Sequence, residues 1–93
     1  MTVHLLLLRA LADTNAGVRE LDVDPPLGTL RSVFDELSVS HPRLHRRIRD
    51  ESGNVRRYVN VYVDGVDIRT SAGLDSPVSD GVTVHVLPSV AGG

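Results

Sequence analysis

Histidines are the residues whose spacing first suggests metal or proton chemistry. His41 and His45 are four positions apart, a spacing that places two metal ligands on one face of a helix. Pro42 lies between them, however, and no acidic or cysteine cluster completes a ligand set. His4 and His85 fall on two strands that we expect to be neighbours, but two ligands do not make a zinc site. We therefore predict surface histidines and no bound metal.

Nucleophilic catalysis is also disfavoured. The 93 residues include no cysteine, which excludes disulfides, thiolate catalysis and cysteine-ligated metals. Serine, histidine and aspartate all occur, but no spacing among them specifies a catalytic triad, and there is no glycine-rich phosphate loop. A chain of this length also leaves little room for a deep active-site cavity. We predict that the protein is not an enzyme and contributes no catalytic residue.

The segment "VLPSVAGG", at the end of the sequence, is the other place where reactive chemistry is possible. Pro88 has no N–H to continue a strand, so we expect a domain over residues 1–87 and a flexible tail over residues 88–93. Gly92 and Gly93 lack a Cβ and would let a terminal carboxylate enter a narrow partner site. A tail of this length reaches at most ~20 Å when extended. It is either an ordinary frayed terminus or the carrier of that carboxylate.

A basic zone occupies the middle of the chain, where six of the ten arginines cluster. They are Arg43, Arg46, Arg47, Arg49, Arg56 and Arg57. The ordinary interpretation is a solvated helix face and loop, partly balanced by Asp50 and Glu51, and the alternative is docking of an acidic partner. The chain has no lysine. This absence reflects GC-rich codon usage, or it benefits a carrier of an activated acyl group, which then has no amine to capture that group.

Charge and hydropathy also limit the partners. The formal net charge of −2 gives no reason to expect nucleic acid or a membrane as the main partner. The most apolar run, Leu5–Leu8, is far too short to span a bilayer, and no basic residue precedes it as in a signal peptide. We expect a cytoplasmic protein that is monomeric when alone.

Hydrophobic periodicity predicts the order β-β-α-(α)-β-β-β, an α+β domain with a mixed sheet of four to five strands. The expected strands are Val3–Arg9, Val18–Asp24, the stretch "RYVNVYVDG", Val66–Arg69 and Val82–Leu87. The Asp64–Gly65 pair predicts a hairpin turn. The first and last strands are expected to form the central pair.

The main helix is expected to begin after Thr29, a good N-cap residue. Its one-face apolar pattern consists of Leu30, Val33, Phe34 and Leu37. A second short helix, about Pro42–Arg49, would bury Leu44 and Ile48. Its outer face would expose Arg43, Arg46, Arg47 and Arg49.

The sheet face turned away from the main helix, which we call the outer face, is expected to carry apolar side chains. Alternation along the strands places Leu6, Leu8 and Leu87 there, with His85 beside them. An apolar patch left in water on a small protein marks a partner site. The alternative is that the Thr70–Gly81 connection covers Leu6 and Leu8.

Three motifs resemble a known family: "RYVNVYVDGVDIR", "GL…SPVSDGVTVHVLP" and the final "VAGG". Together with the order of elements, they resemble the ubiquitin-like β-grasp sulfur carriers of the MoaD and ThiS family, and above all its cysteine-biosynthesis carriers. The likeness covers nearly the whole chain and is weakest over Met1–Val23. It implies a ubiquitin-like β-grasp with one main helix and a short second helix on one face of the sheet.

The resemblance also implies a mechanism. The Gly93 carboxylate would be adenylated with ATP by a MoeB/ThiF-like adenylyltransferase and converted to a thiocarboxylate, which gives sulfur to an acceptor such as a cysteine synthase. The carrier itself would bind no cofactor. The residues expected to thread into the partner are Pro88, Ser89, Val90, Ala91 and Gly92. The residues expected to dock are Leu87, then Leu8, with Leu6 and His85 on the same face.

Other functions remain open at this point. The same tail chemistry begins the conjugation of a ubiquitin-like modifier to lysines of target proteins. A simple β-grasp interaction module, with Gly-Gly only as a flexible end, is a third possibility. The pathway that receives the sulfur is open as well, with cysteine biosynthesis or a carrier shared by several pathways favoured.

Overall fold

The computed structural model of the protein describes residues 1–13 and 17–88, which form a five-stranded mixed sheet with helices on one face. The strands are β1 (Val3–Leu7), β2 (Glu20–Val23), β3 (Val59–Val63), β4 (Val66–Asp67) and β5 (Thr83–Pro88). The helices are α1 (Arg9–Ala12), α2 (Leu30–Ser40) and α3 (Pro42–Ile48), and 3₁₀ turns cover Ile68–Thr70 and Gly73–Asp75. Over the described ranges, no helix has the length and apolar character needed to cross a membrane.

The last strand lies in the middle of the sheet, whose strand order is β2-β1-β5-β3-β4. β1 and β5 are parallel, and the other neighbouring pairs are antiparallel. The predicted central pairing of the first and last strands is therefore confirmed. The predicted hairpin turn is confirmed too, because Asp64 and Gly65 join β3 to β4 with φ angles of 48° and 84°.

The helices follow the sequence pattern closely. The Thr29 hydroxyl accepts a hydrogen bond from the Ser32 N–H at 3.3 Å, so α2 begins at the predicted cap. Pro42 opens α3, in a first turn where its missing N–H has no helical partner to lose. The helix residues predicted to enter the core are all buried: Leu30, Val33, Phe34, Leu37, Leu44 and Ile48.

Alternate strand residues form the other half of the core. The face of the sheet beneath the helices, the inner face, buries Val3, Leu5, Leu7, Val59, Val61, Val84 and Val86. These side chains pack with the helix residues into one cluster. Burial of this kind stabilises by about 25 cal/mol per Å² of apolar surface, so this cluster is the main source of the fold's stability.

β1 ends two residues earlier than predicted, at Leu7 instead of Arg9. The Leu8 N–H still donates to the Val86 carbonyl at 3.2 Å, but the Leu8 carbonyl accepts from the Leu11 N–H at 2.9 Å. The chain therefore turns into α1 at this point. Leu11 is buried, so the turn adds an apolar side chain to the core.

β4 is only two residues long, although the sequence predicts a strand over Val66–Arg69. The Asp67 carboxylate accepts a hydrogen bond from the Arg69 N–H at 2.9 Å and caps the 3₁₀ turn that follows. The turn begins at Ile68, whose side chain is buried. This local cap, which strand alternation does not reveal, ends the strand.

The ends of two other strands also differ from the prediction. β2 is shorter than Val18–Asp24, and β5 is displaced by one residue relative to Val82–Leu87. Pro88, which the sequence places in the tail, is the last residue of β5 and lies opposite Val59. A proline at the end of a strand interrupts no further ladder.

Arg49 is the clearest error of the sequence prediction, because it is buried rather than exposed on the outer side of α3. Its guanidinium donates to an Asp35 carboxylate oxygen at 2.8 Å and, through Nε, to His45 Nε2 at 2.8 Å. It also lies over the Phe34 ring, 5.9 Å from the centroid. The aliphatic stem and the flat guanidinium can be buried because these partners satisfy the charge.

Candidate partner-docking face and carboxyl-terminal tail

One row of residues crosses the outer face through all five strands. From β2 to β4 the row consists of Glu20, Leu6, His85, Tyr62 and Asp67. Residues directly opposite one another in a sheet project on the same side, with Cβ atoms about 4.5–5.5 Å apart. The three central side chains are half-buried. The row thus offers apolar, imidazole and phenol groups in the centre and a carboxylate at each edge.

The predicted docking leucines lie at the end of the central strand pair. Leu87 is half-buried and opposite Asn60, and Leu8 is 48% exposed at the start of α1. Leu8 is therefore not a strand residue, but its hydrogen bond to Val86 holds it beside the end of β5. Leu8 and Leu87 are thus both accessible at the end of β5.

The Thr70–Gly81 connection packs elsewhere. Its backbone meets the start of α2, where the Leu30 N–H donates to the Ser76 carbonyl at 2.9 Å. The Val78 N–H likewise donates to the Gly28 carbonyl at 3.0 Å. At its other end, the Gly81 N–H donates to the Thr2 carbonyl at 2.8 Å. None of these contacts involves Leu6 or Leu8, so they give no support to a cover over the two leucines.

His4 and His85 lie on the adjacent central strands, as the sequence suggested. Thr83 is the register partner of His4, and Leu6 is that of His85, so the two histidines are offset by two positions. His4 Nδ1 lies 2.7 Å from an Asp22 carboxylate oxygen in an exposed pair. Because Asp22 lies on β2, across β1 from β5, this contact holds the His4 imidazole on the side away from His85.

The other two histidines have structural contacts. His41 Nδ1 is hydrogen-bonded to the Ser40 hydroxyl at 2.8 Å. His45 is half-buried, and its burial lowers the pKa below the ordinary value, with the Arg49 charge adding to this effect and Asp35 opposing it. Within residues 1–13 and 17–88, no group of three or more histidine, cysteine or acidic side chains could hold a metal ion.

The predicted tail positions lie almost entirely outside the described residues. Ser89, Val90, Ala91, Gly92 and Gly93 belong to that part of the chain, and their assigned roles stay predictions. The last described residue is Pro88, at the end of the central strand. Pro88 thus separates the outer-face residue Leu87 from the tail positions that lie outside the described residues.

Comparison with known proteins identifies the family. The sequence profile of the ThiS family matches residues 6–93 of the chain. The chain belongs to the ThiS family. The resemblance to the ubiquitin-like β-grasp carriers inferred from sequence motifs is thereby confirmed, and the match includes the two final glycines.

A curated relative and several solved structures are similar over most of their length. The chain is 40% identical over 67 residues to "Sulfur carrier protein CysO" of Mycobacterium tuberculosis, covering 70% of this chain and 72% of that protein. The crystal structure of CysO from that organism matches with a TM-score of 0.83 and 30% identity, over 95% of this chain and 99% of the other. This match confirms the β-grasp fold.

Two further structures extend the comparison. A chain in the crystal structure of the Amycolatopsis orientalis BexX/CysO complex matches with a TM-score of 0.82 and 31% identity, over 98% of this chain and 99% of that one. SAMP1 from Haloferax volcanii matches with a TM-score of 0.82 and 28% identity over 100% of both chains. The fold is therefore shared by a carrier found with a partner and by SAMP1.

Sequence reasoning missed three members of the row across the outer face, namely Glu20, Tyr62 and Asp67. Alternation could place Tyr62 on the outer face, but it could not place that side chain opposite His85, because the register between β3 and β5 joins distant segments. Glu20 and Asp67 were missed for the same reason. No local pattern in the sequence reports these pairings.

Proposed function

We propose that the protein is a sulfur carrier of the ThiS and CysO type, in which the Gly93 carboxylate is the reacting group. The family match carries this proposal, because it continues to Gly93 and includes the Gly-Gly pair. A relative with 40% identity is named a sulfur carrier protein. In the active form, the chain ends at Gly93.

The chemistry has two steps. A Gly93 carboxylate oxygen attacks the α-phosphorus of ATP, which a MoeB/ThiF-like adenylyltransferase binds, and pyrophosphate leaves. A sulfide equivalent then attacks the carbonyl carbon of the acyl adenylate, AMP leaves, and a thiocarboxylate remains. Gly92 and Gly93 suit this reaction because a chain without Cβ atoms can enter a narrow, water-excluded site. The catalytic residues and the ATP site belong to the partner, and this chain is a protein cosubstrate.

The outer face is the docking surface for the activating enzyme. Leu87 is accessible and is followed by Pro88, the end of β5, so a partner that covers it also receives the residues that come next in the chain. Leu8 and Leu6 extend the apolar contact, and His85 adds a polar group beside them. Holding the tail in this way converts a bimolecular search into a local reaction.

The sulfur acceptor is a biosynthetic enzyme such as a cysteine synthase, or one of several acceptors that share the carrier. The identity to a CysO protein supports the first assignment. The similarity to a chain of the BexX/CysO complex supports a carrier that assembles with other proteins.

A protein modifier is the second candidate, because the chain covers the whole of SAMP1, a small archaeal modifier protein, at 28% identity. Conjugation would use the same adenylate, attacked by a lysine amine of a target instead of sulfide. The absence of lysine means that this chain could not form polymers through its own side chains.

The test is the intact mass of the chain after incubation with ATP, sulfide and a MoeB/ThiF-like enzyme from the same organism. We expect the mass increase of one oxygen-to-sulfur exchange, and no change when ATP is omitted. Stable amide conjugates in cell extracts, without the exchange, would favour the modifier. If no such enzyme produces an adduct, a simple interaction module is the remaining interpretation.

A further inference from the structure

A cavity of about 310 Å³ lies at the edge of the sheet where β4 stops after two residues. Its floor consists of Val55, Val59, Val61 and Ile68, and its rim consists of Arg56, Arg57 and Arg69. Val59 and Val61 are inner-face residues, so this cavity is separate from the outer face. We call it the arginine-rimmed cavity.

Two of the three rim arginines are held in place by the protein. Arg56 Nε donates to the Arg46 carbonyl at 2.7 Å. The Arg69 guanidinium donates to the Asn60 side-chain oxygen and, at 3.4 Å, to the Val59 carbonyl. A guanidinium held in this way loses less conformational freedom when it binds a carboxylate.

Arg57 differs from the other two rim residues. Its side chain is exposed and makes no hydrogen bond or ion pair with any residue in the described part of the chain. Its guanidinium can therefore bind an incoming group without breaking an existing contact. Substitution of Arg57 should also leave the fold intact, because its side chain is exposed and supports no other residue.

The positive charge of the rim is poorly balanced. The lining contains no acidic residue. Within the described residues, the rim makes one ion pair, in which Arg69 Nε lies 4.0 Å from an Asp67 carboxylate oxygen. The Asp50 carboxylate, in the loop that precedes Val55, accepts hydrogen bonds from the Ser52 and Asn54 N–H groups of that loop. An anionic group would thus find two or more guanidiniums with free donors.

We propose that the arginine-rimmed cavity binds an acidic segment of a partner protein, with an apolar side chain on the floor and a neighbouring carboxylate on the rim. A simple anion would use the rim but not the floor, and an apolar ligand would leave guanidiniums desolvated and unpaired. Nucleic acid is disfavoured, because the chain as a whole carries a net charge of −2. This inference is independent of the tail chemistry.

The test uses the isotope-labelled full chain and a blocked tetrapeptide of alternating leucine and glutamate. We expect amide chemical-shift changes concentrated at residues 55–61 and 68–69. The matching leucine–glutamine peptide should bind about tenfold more weakly, because it loses the charge-assisted bonds to the rim. Absence of shifts at millimolar peptide, or shifts centred on the outer face, would overturn the proposal.

A matched pair of charge reversals locates the site. Arg57→Glu should weaken binding of the peptide roughly tenfold, whereas Arg47→Glu, on the exposed side of α3 and outside the lining, should weaken it less than about twofold. The amide spectra of both variants report whether they are folded. Equal losses of affinity in the two variants would show that diffuse positive charge, and not the cavity, attracts the peptide, and would overturn the proposal. Inorganic phosphate that displaces the peptide with equal affinity would show an anion site only.

Discussion

The two faces of the sheet use the same strands for different purposes. On the inner face, Leu5 and Val84 are fully buried beneath the helices. On the outer face, the adjacent residues Leu6 and His85 are only half-buried. Since consecutive strand residues project to opposite sides, a shift of one position separates the side chains that stabilise the fold from those that can meet a partner.

The faces also differ in chemical type. The inner face is aliphatic, and its contribution is proportional to the area buried and has no directional preference. The outer face mixes leucine, imidazole, phenol and carboxylate groups, which can discriminate between partners. We therefore expect inner-face substitutions to change the free energy of unfolding and outer-face substitutions to change activation kinetics.

Two neighbouring leucines test this difference directly and should show the largest effect. Leu5→Ala should lower the free energy of unfolding by about 2–5 kcal/mol, because it leaves a cavity in the core. Leu6→Ala should lower it by less than about 1 kcal/mol. Urea denaturation measures both. Similar losses in the two variants would mean that the outer face is also part of the stabilising core.

The polar contact within the helix layer should show the next largest effect. Asp35→Asn should lower the free energy of unfolding by about 2 kcal/mol, because it weakens the charge-assisted hydrogen bond to the buried Arg49. Glu36→Gln, at an exposed neighbouring position, is the control. Thermal or urea unfolding compares the two variants. If the Asp35→Asn variant were as stable as the parent protein, the Asp35 charge would not contribute to the stability of the buried Arg49.

A charge on the outer face should act on recognition rather than on the fold. Leu87→Asp should raise the apparent KM of the activating enzyme for the carrier roughly tenfold, because it places a charge in the apolar contact. Val39→Asp is the control, since Val39 is 81% exposed on α2, away from that face. Steady-state activation assays measure both. Equal kinetics would remove Leu87 from the interface.

The smallest effect should be a pH dependence that arises in the helix layer. His45 Nε2 accepts the Arg49 Nε–H, so protonation of that nitrogen breaks the bond and adds a like charge. The folded-state pKa of His45 is lowered, so the unfolded chain takes up the proton first. The contribution of His45 to the free energy of unfolding is therefore fully present above about pH 6.5 and decreases as the pH falls below that value.

The measurement compares the urea midpoints of unfolding at neutral pH and at about pH 5. His45→Gln removes this titration, so the variant should lose less stability at acidic pH than the parent protein. An equal loss in the two proteins would assign the pH dependence to other groups.

Local patterns account for most of the fold. The apolar stripe of α2 and the alternation of β3 predicted those elements, because each signal is contained in a few consecutive residues. The end of β1 was missed because α1, whose first turn uses the Leu8 carbonyl, is only four residues long and too short to show a helical pattern. The buried Arg49 was missed because its partner Asp35 lies on another helix.

Only part of the candidate site could be predicted from local patterns as well. Alternation correctly placed Leu6 and His85 on the outer face. The neighbours Tyr62 and Glu20, and the convergence of three arginines on one cavity, depend on register and loop packing, which no local signal reports.

The most direct test of Gly93 as the reacting residue is to locate the sulfur after activation. The chain ending at Gly93 and a variant lacking Gly93 are incubated separately with ATP, sulfide and the activating enzyme, and their fragments are compared by tandem mass spectrometry. We expect one oxygen-to-sulfur exchange in the final residue of the chain ending at Gly93 and no exchange in the truncated but folded variant. Sulfur in the truncated chain, or at any other residue, would contradict this expectation.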